Sequence, residues 1–208
     1  MIIEKIVDAL LSRQILLGNL KEEDISVYRY GYTLMFERII NYIITILIVA
    51  ITGEWLIVIA FLLSFIPIRS YAGGWHADKF IVCTVLSNVT ILLSIIITNS
   101  IVIQNGVCIF ILEAVLFFII YKNAPIQNKN KKLTEKECST YKKVTLIILI
   151  AEITAEVLLY ISGNYKIITA VIFAQIVAAT SIVVAITLEG EEDKIKSCLL
   201  YTSPSPRD

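Results

Sequence analysis

A chain of 208 residues, 57% hydrophobic and 17% charged, with a mean hydropathy of +0.80, carries far more apolar surface than a soluble domain of this length needs for its core. Its 18 Lys and Arg balance 18 Asp and Glu to a formal net charge of zero, but the charges are segregated along the chain, and nothing in their pattern supports nucleic-acid binding. The expected class is all-α: a polytopic transmembrane helical protein with about six spans and an N-terminal amphipathic helix.

Residues 1–30 read as that amphipathic helix and a cytoplasmic linker. Ile2, Ile3, Ile6, Val7, Leu10 and Leu11 recur at helical spacing between Glu4, Lys5, Asp8 and Arg13. They do not form one continuous apolar h-region, so the segment is not a signal peptide. A helix of this kind lies on the bilayer surface or packs on the bundle, and the spacing leaves both open.

Residues 31–188 form the transmembrane domain. Apolar runs at 34–52, 55–68, 80–97, 101–121, 144–161 and 165–188 are mostly near the roughly 20 residues that a helix needs to cross hydrocarbon. The second run is short, closed by Pro67 and Arg69, and suits a locally thinned bilayer or a helix of little tilt.

Lysine and arginine placement sets the orientation. Lys5, Arg13, Lys21 and Arg29 precede the first run, Arg69 and Lys79 flank the second break, and Lys122, Lys129, Lys131, Lys132, Lys136, Lys142 and Lys143 fill the fourth. The alternate breaks hold almost no basic residues apart from Lys166. By the positive-inside rule the basic segments, the loop containing His76 among them, face the cytoplasm.

His76 is the only histidine. It follows Gly73-Gly74, in a short polar break, and stands seven residues before Cys83. On one continuous helix that spacing separates two side chains by about 10 Å along the axis. If the helix instead begins near residues 77–79, the flexible glycine pair can fold the imidazole back toward a thiol one turn inside. The helix N-terminus then favours an anionic sulfur and offers free amides to an oxyanion. A nucleophile with a base beside it at a membrane edge points to a cysteine peptidase. A lone cysteine in an apolar helix is more often a packing residue, and on spacing alone that reading leads. One histidine and one thiol leave a zinc site short of ligands, so no metal and no cofactor is expected.

Glu37, Glu113, Glu152 and Glu156 lie in or near the spans, where an ionisable group is costly and often functional. Any of them could orient His76, or they could pair with lysines or bond between helices. Cys83, Cys108, Cys138 and Cys198 show no C-x-x-C spacing and read as reduced thiols. Residues 189–208 lose all periodicity and read as a disordered tail. Its last stretch, from Cys198, looks like a non-native read-through.

The segment Arg69-Ser70-Tyr71-Ala72-Gly73-Gly74-Trp75-His76-Ala77, followed by Cys83, resembles the signature of the accessory gene regulator B (AgrB) family of quorum-sensing peptide processors. Chain length, hydropathy and the lysine-rich loop agree, and the resemblance extends to about residue 188. It implies a membrane endopeptidase with His76 and Cys83 as the catalytic dyad, and Arg69, Gly73 and Gly74 in structurally required motif positions. It also implies an AgrD-type propeptide as substrate, cut at its C-terminal side and cyclised to a thiolactone or lactone autoinducing peptide. The cellular place is the bacterial cytoplasmic membrane, with lipids as neighbours and a homodimer as a plausible assembly. Because propeptides of the family are acidic at their C-terminal end, Lys129, Lys131 and Lys132 become candidate substrate-binding residues. Rival readings are a peptide transporter, although the spans offer few convergent polar side chains, and a non-catalytic membrane scaffold.

Overall fold

The computed structural model describes residues 2–17, 25–75, 80–126 and 133–188. Among them are seven helices and no strand: α1 (Ile2–Leu16), α2 (Ile25–Thr52), α3 (Trp55–Ala72), α4 (Phe80–Ser100), α5 (Gly106–Asn123), α6 (Glu135–Ile161) and α7 (Tyr165–Leu188). Six of them, α2 to α7, are long and apolar enough to cross a membrane, as the six apolar runs require. The chain is a multi-pass membrane protein.

Helix limits differ from the apolar runs where local chemistry outranks hydropathy. Pro67 does not close the second span, because α3 continues through it to Ala72. Proline removes one helical hydrogen bond and crowds the preceding turn, but Ile68 and Ala72, both fully buried, pin that last turn into the core. Helix α5 starts at Gly106 rather than 101, because the Asn105 side chain accepts from the amides of Val107 (2.9 Å) and Cys108 (3.3 Å). Helix α6 starts well before 144. Thr134 and Glu137 form a reciprocal capping box, the Thr134 amide donating to Glu137 Oε2 at 2.8 Å and the Glu137 amide to Thr134 Oγ1 at 3.4 Å.

The described chain divides into two compact units, residues 1–52 with 78–88, and residues 53–77 with 89–208. In the first unit α1 packs on α2 through Val7 and Leu11, which are buried against Ile15, Ile25, Tyr32 and Phe36. Arg29 of α2 pairs with Asp8 of α1 at 2.5 Å. The opening part of α4 belongs to this unit, where Asn88 Nδ2 donates to Asn41 Oδ1 of α2 at 3.0 Å.

The second unit is built around α7. Ala170, Ala174, Ala178 and Ala185 are buried along it, and small side chains let neighbouring helices approach closely where lipid supplies no hydrophobic drive. Phe61 of α3 stacks on Phe65 at 5.5 Å and meets Phe173 of α7 at 6.0 Å. At one end of this unit Asn99 joins two breaks, donating to Glu54 Oε1 at 2.9 Å and accepting from Lys166 Nζ at 3.1 Å. The one basic residue of the sparsely charged breaks is therefore held among polar partners. At the other end lie the last turn of α3, the exit of α5 and the C-terminal half of α7, which together build the site described next.

Candidate active site

The R-x-x-x-G-G part of the motif is a strap fastened at four points. Arg69, in the last turn of α3, reaches past the glycines and donates from Nη2 to the Trp75 carbonyl. The Trp75 amide donates to the Ser181 carbonyl of α7 at 3.0 Å, and Ser181 Oγ donates to the Trp75 carbonyl at 3.4 Å. The Ile126 amide, just beyond α5, donates to the Ala72 carbonyl at 2.9 Å.

These bonds explain why glycine stands at both positions. Gly73 ends α3 with φ of 78°, and a Cβ there would collide with the Ile126 carbonyl oxygen. Gly74 has φ of 129°, and a Cβ would come within 2.7 Å of Ser181 Oγ and 2.9 Å of Arg69 Nη1. Both backbone conformations are ones that L side chains rarely adopt. The two glycines are thus required by space as well as by φ.

His76 follows Trp75 directly and lies outside the described residues, as do Lys129, Lys131 and Lys132. Cys83 is described in the first unit. It is the fourth residue of α4, half-buried, and unbridged. Counted from Phe80, Cys83 lies in the first described turn of α4.

A second polar group occupies the core of the α7 unit. Gln175, fully buried on α7, donates from Nε2 to Glu113 Oε1 of α5 at 3.1 Å and to Glu152 Oε2 of α6 at 3.0 Å. Glu156 of α6 and Ser64 of α3 are buried with them. Glu113 Oε2, Glu152 Oε1, Glu156 Oε1 and Gln175 Oε1 are enclosed without a donor among the described residues. Three of the four glutamates singled out from sequence are thereby brought together, two of them bonding between helices through Gln175, while Glu37 lies on α2 in the first unit. The expectation of few convergent polar side chains is corrected here, since helix packing gathers residues far apart in sequence.

Sequence reasoning missed Gln175, Ser181 and Ile126. Gln175 carried a usable signal as the one amide side chain within α7. Ser181 and Ile126 carried none, because their main contributions are a backbone carbonyl and a backbone amide.

Comparison with known proteins now meets this geometry. The profile of the accessory gene regulator B family matches residues 3–188. The chain belongs to the accessory gene regulator B family. It is similar to AgrB-like protein 2 of Clostridium perfringens (strain 13 / Type A), 26% identical over 175 residues that cover 77% of this chain and 79% of the relative. It is also similar to an AgrB-like protein of Clostridium perfringens (strain SM101 / Type A), 25% identical over 201 residues, covering 90% and 91%. No solved structure matches. Membership associates the chain with peptide processing in accessory gene regulator quorum sensing and with an AgrD-type propeptide partner.

Proposed function

We propose that the chain is a membrane-embedded cysteine endopeptidase, with His76 and Cys83 as its catalytic dyad, that cleaves an AgrD-type propeptide and promotes its cyclisation. The observation that carries this reading is the strap from Arg69 to Trp75, bonded at both faces and ending one residue before the histidine. A scaffold that only reverses the chain has no need of an arginine spanning the turn or of two glycines excluded from any larger side chain.

Cys83 attacks the scissile carbonyl on the C-terminal side of the signal sequence while His76 takes the thiol proton. The tetrahedral adduct collapses with cleavage of the C–N bond, and His76 returns the proton to the leaving amine. The N-terminal fragment stays on Cys83 as a thioester. A cysteine or serine of that fragment then attacks the thioester, its proton passes to the departing Cys83 sulfur, and a thiolactone or lactone closes. No water is consumed in the second step, so a partly dehydrated pocket at the membrane edge favours the ring over hydrolysis.

In this reading the loop containing His76 faces the cytoplasm, where the propeptide is made. The support is that Ile126, from which the chain enters the lysine-rich segment, is bonded to Ala72 beside the strap. The two basic breaks thus share one end of the α7 unit, and the basic-poor breaks joined through Asn99 share another. Lys129, Lys131 and Lys132 steer the acidic end of the propeptide to the site, and the chain works as a homodimer, which cross-linking in membranes tests.

The deciding experiment co-expresses wild type, Cys83→Ala and His76→Ala with an AgrD-type propeptide and follows products by mass spectrometry. Loss of cleavage in both variants at unchanged membrane levels, with a peptide adduct on Cys83 in wild type, is the expected result. Normal cleavage by either variant overturns the dyad.

A further inference from the structure

We propose that Ser181 of α7 is a positioning residue for His76, acting by holding the strap that leads into it; the proposal rests on the dyad reading above. Ser181 is separated from Trp75 by more than a hundred positions, yet it contacts that residue twice. Its carbonyl takes the Trp75 amide at 3.0 Å and its hydroxyl donates to the Trp75 carbonyl at 3.4 Å. It is also the near wall against Gly74, whose missing Cβ would lie 2.7 Å from Ser181 Oγ and 3.3 Å from the Ser181 carbonyl carbon.

The arrangement fixes both backbone polar groups of Trp75, the residue before the histidine. A residue whose amide and carbonyl are both bonded has little freedom to rotate, so the strap is held up to the last described residue before His76. Helix α7 is the most buried span of its unit, with Ala178, Ala179, Ile182 and Ala185 all buried around Ser181, so the point of attachment is on a packed helix. Arg69 closes the third side by donating to the same Trp75 carbonyl. Arg69 and Ser181 therefore share one acceptor, and the motif glycines are small because α7 occupies the space beside them.

The test uses the full chain in detergent micelles with an AgrD-type propeptide, comparing Ser181→Leu, Ser181→Ala, Gly74→Ala and the double variant Gly74→Ala/Ser181→Ala with wild type, His76→Ala and Cys83→Ala. Two quantities are read: steady-state cleavage, and the pH profile of Cys83 alkylation by iodoacetamide, mapped to the peptide by mass spectrometry. Leucine places bulk against the strap, and a displacement near 1 Å costs about a hundredfold in kcat, with KM held within about twofold because substrate contacts remain. The Ser181→Leu alkylation profile moves to coincide with that of His76→Ala, a readout that general loosening of the bundle does not move. Ser181→Ala keeps the carbonyl and stays within about threefold of wild type, as loss of one long hydrogen bond implies.

The double variant keeps the unfavourable φ of Gly74→Ala but removes the hydroxyl that its new methyl would strike, so it cleaves several-fold faster than Gly74→Ala alone. Wild-type cleavage by Ser181→Leu, or lost cleavage with a wild-type alkylation profile, overturns the proposal. Should Ser181→Leu not accumulate, equal rates for Gly74→Ala and the double variant overturn it instead. If His76→Ala and Cys83→Ala are inactive while the Ser181 variants are normal, the positioning role alone fails. If those two alanine variants are active, the dyad reading is what has failed.

Discussion

Helices α2 and α7 are both long, apolar spans, yet more than half of α7 is buried and almost none of α2 is. The difference lies in which residues each helix carries. Along α2, Tyr42, Ile43, Ile46, Leu47 and Ile51 are exposed, as suits a helix whose surroundings are hydrocarbon. Along α7, alanines, Thr169 and Gln175 are buried, and Ser181 meets the strap. In a membrane, bulk hydrophobicity selects the span, while small and polar residues select the partners. The motif strap is fastened to the second kind of helix. The proposed nucleophile stands on the opening turn of α4, within the same unit as α2.

Substitutions on the α7 side should therefore cost far more than equivalent ones on the α2 side. The largest effect is expected from Gly73→Ala, whose methyl would meet the Ile126 carbonyl at a φ of 78°. Strain of this kind costs about 1–3 kcal/mol, and its relief by moving the strap should lower propeptide cleavage by at least about tenfold. A mass-spectrometric time course on purified protein checks it. A Gly73→Ala variant that cleaves at the wild-type rate would mean the strap tolerates movement, and the contrast between the two sides would lose its functional meaning.

Gln175→Leu should come next, acting on stability rather than on chemistry. It removes the donor shared by Glu113 and Glu152, two acceptors already buried beside others without donors. The expected loss is about 1–2 kcal/mol, near the upper range for a polar contact between membrane helices. Thermal unfolding in detergent measures it, and Gln175→Glu, which adds an acceptor where a donor is needed, should be worse than Gln175→Leu. The reverse order would mean that the enclosed oxygens are satisfied in some other way.

The sequence made the spans and the glycine motif legible for different reasons. Six apolar runs translate directly into six helices, because hydrocarbon leaves the backbone little choice. Span limits were harder to read. Pro67 looked like a terminator because its local cost is visible in sequence, whereas the burial of Ile68 and Ala72 that offsets it is tertiary. The start of α6 has a signature in Thr134-x-x-Glu137, which a reading of apolar runs does not register. At the site, Arg69, Gly73 and Gly74 announced themselves by motif, but their reason did not. The strap is explained by a carbonyl on α7 and an amide beyond α5, and backbone groups leave no trace in residue identity. Likewise Glu113, Glu152 and Glu156 could be suspected singly, while the bonding of the first two to Gln175, with Glu156 buried beside them, is a product of packing.

A smaller effect is expected where charge, rather than packing, is at issue. Replacing Lys129, Lys131 and Lys132 together with glutamine should raise the KM for an acidic propeptide by a few-fold at low ionic strength, with kcat little changed. The difference should vanish near 1 M salt, where the screening length falls to about 3 Å. A KM penalty that persists at high salt would point to direct, short-range contacts with the substrate. No penalty at any ionic strength would leave these lysines with a topological role only.

The least effect, and the cleanest internal control, belongs to Gly31→Ala on α2. Gly31 lies inside that helix, exposed, with no atom within 4 Å of the position its Cβ would take and no unusual φ. Alanine there replaces the residue that loses most backbone freedom on folding with the best helix former, a gain of about 0.5–1 kcal/mol. Cleavage should be unchanged and the unfolding temperature slightly raised. The same substitution is thus expected to impair cleavage at Gly73 and only to raise stability at Gly31. If Gly31→Ala instead abolishes cleavage, the exposed surface of α2 is engaged by something the isolated chain does not contain, and a second copy of the protein becomes the first partner to test by cross-linking.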